Sequence, residues 1–195
     1  MIAFEAARAA GADGIELDVR LDADGCVIVF HYDDLKRLCG RPGRVEDLRE
    51  AERKELRVGG QSVPTLAEVL EAAGTMEIDV EIKAPHVARM GELVARTAKV
   101  IRDSGRADQV LVSSFDPFSL VQFHRHLPDI ALAFLFHDEQ PLPLRRGWVG
   151  TWMGASLFHP QNTRCIEKTV KAWHTAGMRL NVLTVDDADE LERLA

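Results

Sequence analysis

Several things are scarce in this chain of 195 residues, and each scarcity excludes a class of protein. No apolar run reaches the 18 or more residues that a membrane span requires. The first residues show no basic stretch followed by an apolar block, so no secretory leader is visible. The three cysteines, Cys26, Cys39 and Cys165, form no CxxC pair and no even framework. They read as scattered reduced thiols and point to a cytoplasmic location. Basic charge is short: 24 Lys and Arg face 31 Asp and Glu, for a net charge of −7. That balance argues against a nucleic-acid partner, and the Arg145-Arg146 pair is too small to change it. No GxGxxG or GxxxxGK[ST] loop follows a candidate strand, which counts against nucleotide binding. Internal repeats and low-complexity tracts are absent.

What is present is a regular alternation of strand and helix patterns. The stretch from Gly14 to His31 organises it. Ile15, Leu17 and Val19 alternate with Glu16, Asp18 and Arg20, then an Asp24-Gly25 turn leads into Val27 to Phe30. With Asp24 and Gly25 as a two-residue hairpin loop, Leu21 is expected opposite Ile28 and Asp18 opposite His31. Residues 33–62 then form a charged, irregular excursion with one helix expected around Val45 to Leu56. Thr65 and Glu68 spell a capping box before a helix from Leu66 to Ala73. Met76 to Lys83 alternates again, with Ile78, Val80 and Ile82 on one face and Glu77, Asp79, Glu81 and Lys83 on the other. A half-exposed edge strand would show the same pattern. Helices are expected over Val87 to Ser104, Pro117 to His126 and Thr163 to Ala176, and strands over Gln109 to Phe115, Ile130 to Phe136, Ala155 to His159 and Met178 to Val185.

The count is six parallel-type strands plus an antiparallel arm over Cys26 to His31. Two architectures accommodate it, an open doubly wound sheet and an incomplete TIM (β/α)8 barrel of about six of its eight strands. The helix patterns at Ile2 to Ala10 and Asp187 to Ala195 lack a cap at the chain end, so the natural reading frame is expected to run on at both ends.

Acids on an inward barrel face need a partner, because an unpaired buried charge is costly. Glu16, Asp18 and Glu81 sit at comparable places on neighbouring strands, and such oxygen ligands suit a hard divalent cation, Mg²⁺ or Ca²⁺, rather than zinc. Lys83, on the same face as Glu81, is placed to meet an anion. His31 is a candidate proton-transfer group. Ordinary ion pairs of Asp18 with Arg20 or Lys83, and a capping or core role for His31, account for the same residues. His86, His124, His126, His137 and His174 read as surface residues. His159, at a strand end, stays open between core and function. Trp148, Trp152 and Trp173 read as core or rim packing.

Six motifs follow one another along the chain: Gly-Ala-Asp-Gly-Ile-Glu-Leu-Asp-Val (11–19), Asp-Gly-(x)4-Phe-His (24–31), Val-Pro-Thr-Leu-(x)2-Val-Leu (63–70), Val-Glu-Ile-Lys (80–83), Val-Ser-Ser-Phe-Asp-Pro (112–117) and Ala-Gly-(x)4-Val-(x)-Thr-Val (176–185). Each is weak alone. As an ordered set the chain resembles the glycerophosphodiester phosphodiesterase family along nearly its whole length. The resemblance implies one TIM-barrel domain over residues 1–195, with 33–62 as an insertion. It implies a Ca²⁺ or Mg²⁺ ion at Glu16, Asp18 and Glu81, His31 as one of two catalytic histidines, and Lys83 near the phosphate. The implied reaction hydrolyses glycerophosphodiesters to glycerol 3-phosphate and an alcohol. The family's opening His-Arg-Gly strand and its closing strand have no counterpart in these residues; Tyr32 stands where the family usually has Asp, and Leu183 where Trp is common. A catalytically inactive metal- or phosphate-binding domain is the alternative expectation, and open barrel edges are expected to favour self-association.

Overall fold

A computed structural model describes residues 1–83 and 87–194. The expectation for His86 therefore lies outside the described residues. Nine strands are described: β1 (Gly14–Leu21), β2 (Val27–Val29), β3 (Arg57–Val58), β4 (Gln61–Ser62), β5 (Glu77–Ile82), β6 (Val110–Ser114), β7 (Ala131–Phe136), β8 (Leu157–Pro160) and β9 (Arg179–Leu180). Seven of them form one sheet in the order β2-β1-β5-β6-β7-β8-β9, parallel throughout except for the antiparallel β1–β2 pair. β5 lies between β1 and β6, so it is an interior strand and not an edge. Helices follow most strands: α1 (Ile2–Ala9), α2 (Lys36–Cys39), α3 (Glu50–Glu55), α4 (Leu66–Ala72), α5 (Val87–Ser104), α6 (Pro117–His126), α7 (Leu142–Arg145), α8 (Glu167–Thr175) and α9 (Ala188–Leu194). Among the described residues, hydrogen bonding does not close the sheet into a full circle. No described helix is long and apolar enough to cross a membrane.

Period-two alternation splits the sheet into two faces. Leu17, Val19, Ile78, Val80, Ile82, Val112, Leu132, Phe134 and Phe158 point outward and are buried under the helices. The rings of Phe136, Phe158 and Trp173 meet edge to face at 5.4–6.2 Å beneath α8. On β1 and β5 the inward face is left for polar groups, while Ala133, Leu135 and Leu157 share it on β7 and β8. α4 starts as its sequence requires: the Glu68 amide donates to Thr65 Oγ1 at 3.2 Å, and the Thr65 amide donates to Glu68 Oε2 at 2.7 Å.

The hairpin departs from expectation by one residue. Val19 pairs with Val29, Arg20 with Ile28 and Leu21 with Val27, so Asp18 does not face His31. The cause is Asp22, which is fully buried. Its Oδ1 accepts from the amides of Asp24 and Cys26, and its own amide donates to the Cys26 carbonyl. A five-residue loop closed by Asp22 thus replaces the two-residue turn, with Gly25 inside it at φ 79°.

Residues 33–62 also fold differently from the single helix expected. They comprise α2, a 3₁₀ turn over Val45–Asp47, the short α3, and the two-residue β3–β4 ladder. Their own apolar side chains, Leu35, Val45, Leu48 and Leu56, pack with Val63 on Ile28 and Phe30 of the hairpin arm. The strand expected over Met178 to Val185 shrinks to β9 and one further bridge between Gln161 and Leu183, with no ladder on its far side among the described residues.

Asp22 ties the hairpin loop to this segment, because its Oδ2 lies 3.4 Å from Nε of the buried Arg53. Arg53 also donates to the Val63 carbonyl. Truncating one member of a buried pair leaves the other charge uncompensated, which typically costs about 3–5 kcal/mol. Asp22→Ala is expected to lower urea-unfolding stability by about that amount. An unchanged midpoint would show that this tether contributes nothing.

Candidate active site

The inward faces of β1 and β5 carry the acids. Parallel register sets Asp18 directly beside Glu81, and Glu16 beside Asp79. One oxygen from each of Glu16, Asp18 and Glu81 lies within 4.8 Å of the others. Lys83 Nζ reaches into this group, 2.8 Å from Asp18 Oδ1 and 2.6 Å from Glu81 Oε1. The expected ion pair of Asp18 with Lys83 is therefore formed, and the carboxylate cluster is formed with it.

Arg20, also on the inward face of β1, turns toward the chain after β2. Its Nε and Nη2 donate to the His31 carbonyl at 3.1 and 2.9 Å. This fork fixes the backbone of His31 even though the hairpin register does not place its ring opposite Asp18. Glu16, Asp18 and His31 nevertheless line one cavity of about 320 Å³. On the other side, Glu81 and Lys83 open onto a larger groove of about 600 Å³.

Crowding shifts the proton equilibria. Desolvation, then repulsion from Asp18, Glu81 and Asp79, raises the Glu16 carboxyl above its usual range. Glu81 is raised chiefly by burial, against the pull of Lys83. Desolvation works to lower Lys83, but Glu81 and Asp18 outweigh it and raise the ammonium. His31 is lowered by desolvation, and the cations Lys83, Arg20 and Arg37 add to this while Asp18 opposes it. The imidazole is therefore neutral near pH 7 and available as a base. Glu16, pushed up to about 8, keeps its proton near neutral pH, and a bound cation would displace it, leaving three carboxylates against one ammonium on an all-oxygen donor set. That is the chemistry of a hard divalent-cation site.

Deeper on the same face sits a pair that sequence reasoning did not single out. His159 on β8 and Asp79 on β5 are both buried, with Nδ1 and Oδ2 3.3 Å apart. Asp79 Oδ1, His159 Nε2 and Ser113 Oγ have no hydrogen-bond partner. Burial holds His159 down to about 4. Burial also pushes Asp79 up to about 7; Ser113 tempers the rise without meeting hydrogen-bond geometry, and Glu81 and Asp18 add to it. The signal in the sequence was the alternation that puts Asp79 on the face of Glu81. The other histidines divide: His124, His126 and His174 are exposed as expected, while His137 is half-buried and edge-on to Phe115 at 5.3 Å. Of the tryptophans, Trp173 is core, but Trp148 and Trp152 are exposed.

Comparison with known proteins now decides the lineage. The sequence profile of the glycerophosphoryl diester phosphodiesterase family matches residues 1–195. The chain belongs to that family. A glycerophosphodiester phosphodiesterase of Bacillus altitudinis is 38% identical, over 100% of this chain and 83% of that protein. One from Caldanaerobacter subterraneus is 31% identical, over 98% and 82%. Among solved structures, an Oleispira antarctica phosphodiesterase in complex with its product sn-glycerol-3-phosphate superimposes with a TM-score of 0.89, at 25% identity, covering 99% of this chain and 81% of that one. A Silicibacter pomeroyi structure superimposes at 0.90 with 22% identity, covering 100% and 80%, which establishes the shared fold. The open doubly wound alternative is excluded: the fold is that of a TIM barrel.

The buried pair yields a pH prediction. His159 falls from 6.5 unfolded to about 4 folded, so its contribution to stability is full above pH 6.5 and is lost as pH drops toward 4. Asp79 rises from 3.8 to about 7, so its contribution is full below pH 3.8 and is lost as pH rises toward 7. The two trends oppose each other between pH 4 and 6.5. In His159→Gln only the Asp79 trend remains, and urea stability of the variant relative to wild type should fall with rising pH, by up to about 1.4 kcal/mol per unit. Parallel pH profiles for the two proteins would contradict a His159 held neutral by burial.

Proposed function

We propose that this chain hydrolyses glycerophosphodiesters to sn-glycerol 3-phosphate and an alcohol, with a divalent cation. The carrying observation is the Glu16, Asp18 and Glu81 cluster, brought within 4.8 Å across two adjacent strands in a chain of this family. Those three carboxylates would hold the ion, and their all-oxygen donor set fits Ca²⁺ or Mg²⁺. When bound, such a cation supplies charge stabilisation to phosphoryl oxygens and lowers the pKa of a coordinated nucleophile. Lys83 offers its ammonium to a non-bridging phosphoryl oxygen. His31, neutral and held at its carbonyl by Arg20, accepts or returns a proton at its ring nitrogen. The small-molecule substrate requires no groove for nucleic acid. Residues 33–62 serve as an insertion on one barrel domain, walling the His31 side of the site. The free thiols Cys26, Cys39 and Cys165 support a reducing, cytoplasmic setting.

A second reading has one observation in its favour. Lys83 already engages Asp18 and Glu81, an arrangement that also suits a phosphate-binding domain without turnover. Release of glycerol 3-phosphate from glycerophosphocholine with and without added Ca²⁺ or Mg²⁺ separates the two. Cation-dependent release is expected, and His31→Ala should lower kcat by roughly 10²–10⁴-fold. A cation at 100 times its Kd should stabilise the fold by about 2.7 kcal/mol. Glu81→Gln should abolish that thermal shift together with turnover. A thermal shift without turnover of any diester would favour the binding-domain reading.

We also propose self-association through the sheet edges. The side of β1 away from β5, over Gly14–Leu17, and the outer side of β9 have no ladder partner among the described residues, and such edges template further pairing. Light scattering should show oligomers that grow with concentration; a monomer at all concentrations would contradict this.

A further inference from the structure

We propose that the groove beside Lys83 receives a hydrocarbon chain, and that the protein prefers glycerophosphodiesters carrying one such chain to fully water-soluble ones. The inference rests on the reaction proposed above and adds its substrate class. The groove begins at Glu81 and Lys83 and has a volume of about 600 Å³, within the range of small-molecule sites and roughly twice that of the cavity on the His31 side. Its polar groups are concentrated at that one end or already engaged. Ser114 Oγ donates to the Ile82 carbonyl at 2.8 Å. Asp116 caps α6, accepting from the amides of Phe118 and Ser119 and from the Ser119 hydroxyl. Beyond Lys83, whose ammonium lies 5.9 Å from the Phe115 ring centroid, the wall is Phe115, Phe118, Val121, Val149, Trp152 and Met153.

At the outer end, Phe118 is 68% exposed and Trp152 83% exposed. Two large apolar side chains held open to water, on a groove continuous with a phosphodiester site, mark a surface that a ligand covers. Glycerol, choline or another small polar alcohol would find no hydrogen-bond partner along this wall and would lose those it has in water. A methylene chain loses nothing there, and each methylene fully buried tightens binding about fourfold. Phe118 and Trp152 are specificity-determining residues on this account; the phosphoryl group stays at the carboxylates and Lys83.

The test uses the full chain and two readouts, one of which is independent of turnover. Tryptophan emission is titrated with 1-octanoyl and 1-hexanoyl glycerophosphocholine below their micelle concentrations, with the octyl and hexyl esters of glycerol phosphate, with glycerophosphocholine, and with phosphatidylcholine vesicles. Chain-bearing monomers are expected to give a saturable blue shift, about two- to fourfold tighter per methylene. Glycerophosphocholine and vesicles should give none. Whichever ester series binds more tightly assigns the chain to the glycerol side or to the alcohol side. Trp152→Ala, read by turnover, and Phe118→Ser, read by both methods, should reduce the ratio of kcat/KM for the octanoyl substrate over glycerophosphocholine by tenfold or more. Both side chains are exposed, so both variants should fold. Chain-length independence, an equal response to vesicles, or an unchanged affinity in Phe118→Ser would overturn the proposal. A saturable shift with release of neither glycerol 3-phosphate nor, from the acylated substrates, 1-acyl glycerol 3-phosphate would sustain the groove and refute the proposed reaction instead.

Discussion

The constraint on which this structure depends is the crowding of carboxylates on one face of two neighbouring strands. Parallel register sets Asp18 against Glu81 and Glu16 against Asp79, and period-two alternation sends all four into the barrel. Like charges so placed repel, and burial adds to the cost. Lys83 offsets part of it by reaching two of the acids at once. The remainder is what a divalent cation would compensate, and that imbalance arises from the fold and not from any single residue. The outward faces of the same strands carry the apolar core under the helices, so the framework that holds the acids together is itself held by the largest apolar burial in the molecule.

The segment after the hairpin is secured differently. Its apolar cluster sits on Ile28 and Phe30 of the arm that leads into His31, and Asp22 with Arg53 anchors its base. Arg20 then fixes the carbonyl of His31. The position of the proposed base thus depends on a buried ion pair, a small separate core and one guanidinium fork. These link the loop excursion to the chemistry, and its Arg37 also acts on His31 through charge.

Much of this was legible in the sequence, for identifiable reasons. The alternation at 14–21 and 77–83 encodes which side chains share a face, and it placed Glu16, Asp18, Glu81 and Lys83 correctly on the inward one. The Thr65–Glu68 spacing encodes a helix start through two local hydrogen bonds. The hairpin register was not legible, because Asp-Gly signals a turn but does not reveal that Asp22 would bind two amides and lengthen the loop. The pairing of His159 with Asp79 was hidden for another reason. It joins strands 80 residues apart that are not neighbours in the sheet, and only barrel curvature brings them together. The short β9 shows the same limit, since ladder length is set by available partners as well as by propensity.

The most direct test of the central claim is an anomalous-scattering map from crystals soaked in Mn²⁺, a stand-in for the hard cation. The account predicts one strong peak between Glu16, Asp18 and Glu81, with oxygen ligands from all three. A peak coordinated elsewhere, or no peak from crystals of protein whose turnover depends on the cation, would contradict it.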